Sequence, residues 1–353
     1  MSPVDIKNAN IGSILDSGLY SAPEKVGAIT SVIVTAIRRS NRQQTASSQL
    51  ILKPNAGTTL GTYYTGNNPE EIAVGGDGNL WITNWGENTL SELSPSGMLL
   101  GKYPTGLKPE GVAVGASGNI WIANNNEASL MLYSPAGTLL KTVSVGSKPH
   151  DIAIDQGGDL WVTDDGLDKL FRVSSDGTVL ASYAAGSNPH GVAIDDRGNI
   201  WVVSNATSQI LKFAASGNFI GAYNAGTYPV YVAIDKSGNI WTPSTMNEGT
   251  SDADAIVSKL SLQGDILGSF PAGRNGWGIQ IDKSGYVWVI NGLTSTIVLE
   301  AGSLTRMSPK GELIGSYPLG IDPMWLATDH QGDLWATNSG ANNVSQVSGG
   351  CKK

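Results

Sequence analysis

With 353 residues and 40% hydrophobic content, the chain is long enough to bury a large core, in one to three domains. Its net charge of −8 excludes the basic surface that nucleic-acid binding needs, so we expect no nucleic-acid partner. Cys351 is the single cysteine, which excludes an internal disulfide and a cysteine metal cluster, and no apolar run is long enough to span a bilayer.

The N-terminal stretch, residues 1–56, differs from the rest of the chain. Gly12 to Leu52 resembles the C-terminal half of a bacterial immunoglobulin-like surface domain, through "SGLYSAP", the alternating "SVIVTAI" and the final "ASSQLIL". Such a domain needs roughly seven strands, and only about three are present. Either the chain is cut from a longer protein or the segment packs on the domain that follows; a β-rich leader without this kinship is the alternative. The resemblance implies a secreted or cell-surface location.

A repeat of 40 to 47 residues fills the chain from 57 to 350 and is marked by a recurring tryptophan. Each copy runs from a proline or glycine through a short apolar segment such as "VAI" to a turn of the type "DxxGN". A second segment with the tryptophan, a third like "LSELS" and a fourth like "LLGKYPTG" follow. Four strands per copy predict an all-β fold, a seven-bladed β-propeller with four-stranded blades. The tryptophans are Trp81, Trp121, Trp161, Trp201, Trp241, Trp288 and Trp335.

The two ends of the repeat region complement each other. The last copy stops after its third strand, whereas Thr58 to Gly66 matches a fourth strand and precedes the first copy. We therefore expect this N-terminal strand to complete the last blade and close the ring, which removes an open sheet edge. A short tail, residues 351–353, follows the ring.

The acidic residues of the "DxxGN" turns recur at the same joint in several copies. This regularity favours turn chemistry over calcium binding, since Asp and Asn side chains bond to the backbone of such turns. The same regularity favours blade-to-blade packing for the seven tryptophans. The acids are Asp155, Asp195, Asp235, Asp282 and Asp329.

Chain direction places the residue after each proline on the same face of the ring as the loops that follow the tryptophan strands. Two insertions, 244–257 and 291–303, also fall on this face, which is typical of a binding face. His330 falls in a turn on the opposite face. Around the ring we expect a mouth with ionisable groups on one side and apolar groups on the other, suited to an amphipathic small ligand. Its positions are Glu70, Glu110, His150, His190, Val230, Trp277 and Met324, with Tyr231 and Trp325 next to them.

The segment "PHGVAIDDRGNIW" (189–201) resembles the NHL-type propeller repeat and, more closely, the streptogramin B lyase (virginiamycin B lyase) family. This resemblance implies an elimination that opens a cyclic ester, assisted by Mg²⁺. It also implies two catalytic histidines that follow prolines in consecutive blades, which here are His150 and His190. The family has a glutamate two residues before the second histidine, where this chain has Asn188. An amide exchanges no proton and is a weaker magnesium ligand, so we expect Glu70 and Glu110 to help hold the ion.

Two classes of function stay open at this point. The first is an enzyme with metal-assisted lyase chemistry, whose activity would fall below roughly pH 6.5 as a histidine base becomes charged. The second is a non-catalytic binding or adhesion module for a small-molecule or cell-surface ligand. In both cases we expect a monomer whose ligand contacts are Glu70, Glu110, Asn188, Tyr231, Trp277, Met324 and Trp325.

Overall fold

The computed structural model describes residues 54–245, 254–292 and 301–350, together with the backbone of four short strands nearer the N-terminus. Side chains are described from residue 54 onward, except at 254 and 255. Cys351, the tail 351–353 and the central parts of both insertions, 246–253 and 293–300, lie outside the described residues. None of the helices in the described part of the chain is long and apolar enough to cross a membrane.

Two antiparallel strand pairs are described in the N-terminal stretch. They are formed by β1 (Ser13–Ile14) with β2 (Tyr20–Ser21), and by β3 (Thr30–Ile37) with β4 (Thr45–Leu52). The segments "SVIVTAI" and "ASSQLIL" lie on β3 and β4. The immunoglobulin-like origin of this stretch stays a prediction. The next strand, β5 (Thr59–Tyr64), belongs to the ring.

Seven four-stranded antiparallel sheets form a closed ring, which confirms the seven-bladed β-propeller. Blade 1 contains β6 (Pro69–Val74), β7 (Leu80–Asn84), β8 (Thr89–Leu93) and β9 (Leu99–Pro104), and blade 2 contains β10 (Pro109–Val114), β11 (Ile120–Asn124), β12 (Ser129–Tyr133) and β13 (Leu139–Ser144). Blade 3 contains β14 (Pro149–Ile154), β15 (Leu160–Asp164), β16 (Lys169–Val173) and β17 (Val179–Ala184), and blade 4 contains β18 (Pro189–Ile194), β19 (Ile200–Ser204), β20 (Gln209–Phe213) and β21 (Phe219–Asn224).

The remaining blades follow the same order. Blade 5 contains β22 (Ala233–Ile234), β23 (Ile240–Pro243), β24 (Asp254–Leu260) and β25 (Ile266–Arg274), and blade 6 contains β26 (Gly276–Ile281), β27 (Val287–Asn291), β28 (Ala301–Met307) and β29 (Leu313–Ile321). Blade 7 contains β30 (Pro323–Thr328), β31 (Leu334–Asn338), β32 (Asn343–Val347) and, as its outer strand, β5. Two single-turn 3₁₀ helices, Asn125–Glu127 and Ser339–Ala341, follow the second strands of blades 2 and 7.

The N-terminal strand closes the ring as predicted. In blade 7, β5 pairs antiparallel with β32, from Tyr64 opposite Asn343 to Thr59 opposite Val347. Two backbone bonds extend the pairing: the Gly57 amide donates to the Ser348 carbonyl at 2.7 Å, and the Ser348 amide donates to Thr58 at 2.8 Å. Without β5, the ladder groups of β32 would form an unpaired sheet edge.

The recurring tryptophans are buried between blades, as expected. Trp335 of blade 7, for example, belongs to one apolar cluster with Ile72, Leu80 and Ile82 of blade 1. All seven are at most 3% exposed. Each covers the apolar face of the blade that follows it, so the indoles hold the ring together at every blade boundary.

The turn acids bond to the turn backbone and also to these tryptophans. Asp155 accepts hydrogen bonds from the amides of Gly157 and Asp159, and its second oxygen accepts one from the Trp161 indole at 3.1 Å. The same indole bond occurs in blades 4 to 7, with the acids Asp195, Asp235, Asp282 and Asp329. A buried indole N–H needs an acceptor, which links the turn acid to the interface between blades.

We expect ring closure to make β5 essential for folding. Deleting residues 1–53 keeps Pro54, whose carbonyl accepts a bond from the Ser348 hydroxyl, and should leave a monodisperse ring with a cooperative thermal transition. Deleting residues 1–66 removes β5 and should give aggregation, because β32 becomes a bare edge. Size-exclusion chromatography and thermal unfolding of both truncated proteins check this. Equal behaviour of the two would contradict closure by β5.

Candidate functional site

A cavity of about 310 Å³ opens at the mouth of the channel, on the face where the innermost strands begin. Four carboxyl side chains, two histidines, four aromatic side chains and a methionine surround it. Its lining residues are Glu70, Glu71, Trp85, Glu110, His150, Asp165, His190, Tyr231, Trp277, Met324 and Trp325. The structure therefore brings the predicted mouth residues together, except for Val230 and Asn188.

The start of the innermost strands explains why their side chains enter the mouth. In blade 3, Pro149 pairs with Asp164, but the regular ladder resumes only at Ile152, so the two residues between them form a bulge. The same shift occurs after Pro69, Pro109, Pro189, Gly276 and Pro323. Bulges re-aim side chains, and here the first residue of each bulge lines the cavity.

A buried threonine fixes the spacing between the two histidines. Thr163 of β15 accepts a hydrogen bond from the Asp151 amide at 3.1 Å and donates to the His190 carbonyl at 2.6 Å. It therefore ties the residue after His150 in blade 3 to His190 in blade 4. Thr83 and Thr337 bond in the same way to the carbonyls of Glu110 and Glu70.

Blade 5 departs from this pattern, and the expected mouth position of Val230 is wrong. Val230 is buried, its carbonyl accepts the Gly191 amide of blade 4 at 2.9 Å, and β22 begins only at Ala233. Because the start of this innermost strand is irregular, the neighbouring Tyr231 lines the cavity instead.

The histidines form a close pair. The ring centroids of His150 and His190 are 4.4 Å apart at an interplanar angle of 49°. Both Nδ1 atoms are buried and have no hydrogen-bond partner among the described residues. Burial, with the His190 ring beside it, holds the pKa of His150 well below its ordinary value, and burial lowers the pKa of His190 to about 4. Both imidazoles are thus neutral at neutral pH, and a midpoint of activity near 6.5 is not expected from this site.

The pKa values of the two glutamates Glu70 and Glu110 shift upward, opposite to those of the histidines. Burial, with Glu110 nearby, raises the pKa of Glu70 to about 8, and burial, with Asp165 nearby, raises the pKa of Glu110 to about 8. One oxygen of Glu110 lies 3.4 Å from Nε2 of His150. Low polarity penalises both charged forms, so the proton that this pair shares at neutral pH belongs mainly to the carboxyl group.

The residues that follow the mouth positions around the ring form a second layer of the innermost strands. It alternates large residues (Glu71, Asp151, Tyr231 and Trp325) with the glycines at 111, 191 and 278. The glycines have no room for more: a Cβ at Gly191 would lie 2.7 Å from the Tyr231 Cα. Asp151 is buried and accepts the backbone amides of Ile152 and Val192 at 2.7 and 2.8 Å.

Aromatic rings form the opposite wall. Tyr231 and Trp325 meet edge to face with centroids 4.2 Å apart, and Trp277 and Met324 extend this surface. On the acidic side, the Nζ of Lys108 lies 3.2 Å from the centre of the Trp85 ring. The three tryptophans that do not belong to the repeat, Trp85, Trp277 and Trp325, all line the cavity.

Three lining residues were not predicted individually: Glu71, Trp85 and Asp165. The sequence did contain a signal for two of them. Trp85 and Asp165 directly follow the second strands β7 and β15, which places them on the predicted binding face. Trp85 is also a tryptophan outside the repeat position. Glu71 follows a mouth residue, and only the bulge explains why two successive side chains face the channel.

Asn188 occupies a turn position beside the cavity. It has a left-handed backbone conformation with φ of 54°, and its backbone N–H donates to the Asp168 carboxylate at 2.8 Å. Its side chain donates to the Asn205 side chain at 3.4 Å. Lys108 and Tyr228 adopt the same conformation at the matching position of other blades, so this backbone accepts residues other than Asn.

Glu70 and Glu110 are the candidate ligands for a magnesium ion. Glu70 and Glu110 carry the oxygen donors that Mg²⁺ prefers. However, across the described residues no group of three or more His, Cys, Asp or Glu side chains is arranged to hold a metal ion. Glu110 also has partners within the protein, Asn125 at 3.2 Å and the Trp85 indole. Magnesium binding by Glu70 and Glu110 stays a prediction, and the chemistry below uses side chains alone.

We expect the buried glutamates to lower the stability of the ring at alkaline pH. Folding raises the pKa of Glu70 and Glu110 from 4.5 to about 8, so the folded state binds more protons across this range and loses stability as pH rises. The histidines act oppositely, but only up to their unfolded pKa near 6.5. The melting temperature should therefore fall between pH 6.5 and 8. The double variant Glu70→Gln/Glu110→Gln should show a smaller fall in melting temperature over this range, whereas Glu312→Gln, at an exposed position, should show the same fall as the unchanged protein. An unchanged dependence of melting temperature on pH in the double variant would contradict these pKa directions.

One family profile and several solved structures match this chain. The sequence profile described as the virginiamycin B lyase family matches residues 102–352. A search of curated proteins found no match.

Solved structures with the same architecture include enzymes of that name. A streptogramin B lyase structure is 18% identical with a TM-score of 0.70, covering 82% of this chain and 96% of its own. A catalytically inactive virginiamycin B lyase from Staphylococcus aureus with quinupristin is 18% identical with a TM-score of 0.69, covering 82% of this chain and 97% of its own. The WD40 β-propeller domain of Doa1 is 12% identical with a TM-score of 0.68, covering 82% of this chain and 96% of its own. At these identities the likeness shows the fold alone.

Proposed function

The chain belongs to the virginiamycin B lyase family, and on that premise we propose that it binds an amphipathic small ligand in the mouth and opens a cyclic ester in it by elimination. One observation carries the proposal. The rings of two histidines lie in the cavity with their centroids 4.4 Å apart, and a Glu110 carboxyl oxygen lies 3.4 Å from Nε2 of His150. This arrangement supplies a base and a proton donor side by side.

The elimination needs a base at one carbon and a leaving group at the next. The base removes the proton from the carbon next to a carbonyl, the freed electron pair forms a carbon–carbon double bond, and the alkyl C–O bond of the ester breaks. The ester carboxyl leaves as a carboxylate, so the ring opens without water.

His190 is the better candidate for the base. Nε2 of His150 already faces Glu110, whereas no hydrogen bond of the His190 ring is described. His190 is uncharged at neutral pH, which a base requires. When Glu110 holds the shared proton, its O–H donates to Nε2 of His150, which places the proton of that imidazole on Nδ1. The Glu110–His150 pair thereby holds one acidic proton at the cavity, where it can stabilise a developing negative charge.

The aromatic wall accounts for the apolar part of the ligand. Tyr231, Trp277, Met324 and Trp325 offer ring faces and a thioether opposite the carboxyl groups. Pockets of this size with a few convergent polar groups are typical small-molecule sites. Cyclic peptides with aromatic side chains and an ester bond have this two-sided character.

We expect turnover of a streptogramin B compound such as quinupristin, and we expect it to depend on His190. Elimination leaves the mass of the product unchanged, whereas hydrolysis adds one water, so chromatography with mass spectrometry distinguishes them. His190→Ala should lower the rate by a factor of ~10² or more. His330→Ala, on the opposite face, is the matched control.

Other outcomes would redirect the proposal. Ring opening with a gain of one water would exclude elimination. Tight binding without any product, unaffected by His190→Ala, would favour the binding or adhesion module. Magnesium assistance is measured in the same assay by adding EDTA and then Mg²⁺. A monomeric state and a secreted or cell-surface location stay predictions.

The rate should stay constant over a wide pH range. A base with a pKa of about 4 keeps its activity well below pH 6.5, and a donor with a pKa of about 8 loses its proton above that value. We therefore expect kcat/KM to fall only near pH 4 and near pH 8. Initial rates at constant ionic strength test this, and a single midpoint near 6.5 would contradict the assignment of His190.

Restoring the family's glutamate gives an independent test. Asn188→Glu should raise any weak ring-opening activity, because a carboxylate then stands beside the histidine pair. The backbone position tolerates Lys108 and Tyr228 in other blades, so the variant should fold. The comparison of kcat at saturating ligand decides the matter; a folded variant with unchanged kcat would show that Asn188 does not limit the reaction.

A further inference from the structure

Two of the glutamates that line the cavity, Glu70 and Glu110, each receive a hydrogen bond from a short helix at the rim of the ring. Two 3₁₀ turns are described in the chain, Asn125–Glu127 and Ser339–Ala341, and each follows the second strand of its blade. The Asn125 side chain donates to Glu110, and the Ser339 hydroxyl donates to Glu70. Both first residues are buried, at 6% and 4% exposure.

Asn125 holds the glutamate that faces the histidine pair. Its Nδ2 lies 3.2 Å from Oε2 of Glu110, and this same oxygen lies 3.4 Å from Nε2 of His150. Since a planar amide offers its N–H groups in fixed directions, Asn125 sets the direction of the Glu110 carboxyl group.

The backbone of Asn125 is itself fixed. Its backbone N–H donates to the Lys108 carbonyl at 2.9 Å, and the turn ends in a left-handed residue, Ala128, with φ of 50°. A buried side chain on such a turn has little freedom to move. A glutamate with several rotatable bonds, by contrast, needs an outside contact to keep one orientation.

On these grounds we propose that Asn125 is a positioning residue, which holds the Glu110 carboxyl group against His150 for the reaction. This inference rests on the proposed lyase function. Asn125 does not line the cavity and is not expected to touch the ligand. It acts through Glu110, so its contribution should disappear when Glu110 is removed.

A double-mutant cycle tests the proposal. Asn125→Ala should lower kcat by about 10-fold or more and change KM by less than about 3-fold, and Asn125→Asp, of the same shape but without the donor, should do the same. In a Glu110→Ala background, Asn125→Ala should change kcat by less than about 2-fold. Equal losses in both backgrounds would overturn the proposal.

A control and a second readout separate this inference from the function on which it rests. Asn205→Ala removes the amide at the matching position of blade 4, which donates to the Pro229 carbonyl at 3.0 Å, and should keep kcat. Thermal unfolding shows that each variant is folded. Imidazole ¹⁵N NMR at one fixed pH should show a shift for His150 in Asn125→Ala and none for His330.

The combined outcomes are distinct. A shifted His150 signal in a protein that opens no streptogramin would refute the lyase proposal and retain the positioning role. An unshifted His150 signal in a folded Asn125→Ala protein would overturn the positioning role, whatever the activity.

Discussion

The closed ring brings equivalent positions of all seven blades to one narrow channel, and the site depends on this constraint. A bulge after the first residue of an innermost strand turns the next side chain inward, and buried threonines such as Thr163 tie neighbouring blades together. Residues forty positions apart in sequence thereby come within contact distance. His150 and His190 need no local motif to meet, because the repeat length itself makes them neighbours.

Convergence also determines the electrostatics of the mouth. Carboxyl groups and imidazoles that enter a narrow, partly closed cavity lose hydration, and burial opposes the charged form of both types. The pKa values of Glu70 and Glu110 are therefore raised to about 8, and the pKa of His190 is lowered to about 4. A site that looks highly charged in sequence therefore loses part of that charge on folding. Acid–base chemistry gains from this, since His190 keeps its lone pair while Glu110 keeps a proton.

Much of this molecule follows from periodicity, and what does not follow has local causes. The blades, the closing strand and most mouth residues could be predicted because each depends on a repeated pattern. Val230 could not, because the irregular start of blade 5 exchanges its place with Tyr231. Glu71 required knowledge of the bulge. The pKa directions of the histidines depend on burial and on packing between blades, and a motif contains neither.

The likeness in fold does not decide the function, since a WD40 propeller superposes almost as well as a streptogramin lyase. The choice therefore depends on side chains that the scaffold does not require. The repeat explains seven tryptophans by blade packing, yet Trp85, Trp277 and Trp325 lie outside that position and line one cavity. The same holds for the two adjacent histidines and for Asn125, whose side-chain amide donates to the Glu110 carboxyl group. These features reduce hydration without strengthening the blades, and they therefore support the proposed ligand and its chemistry.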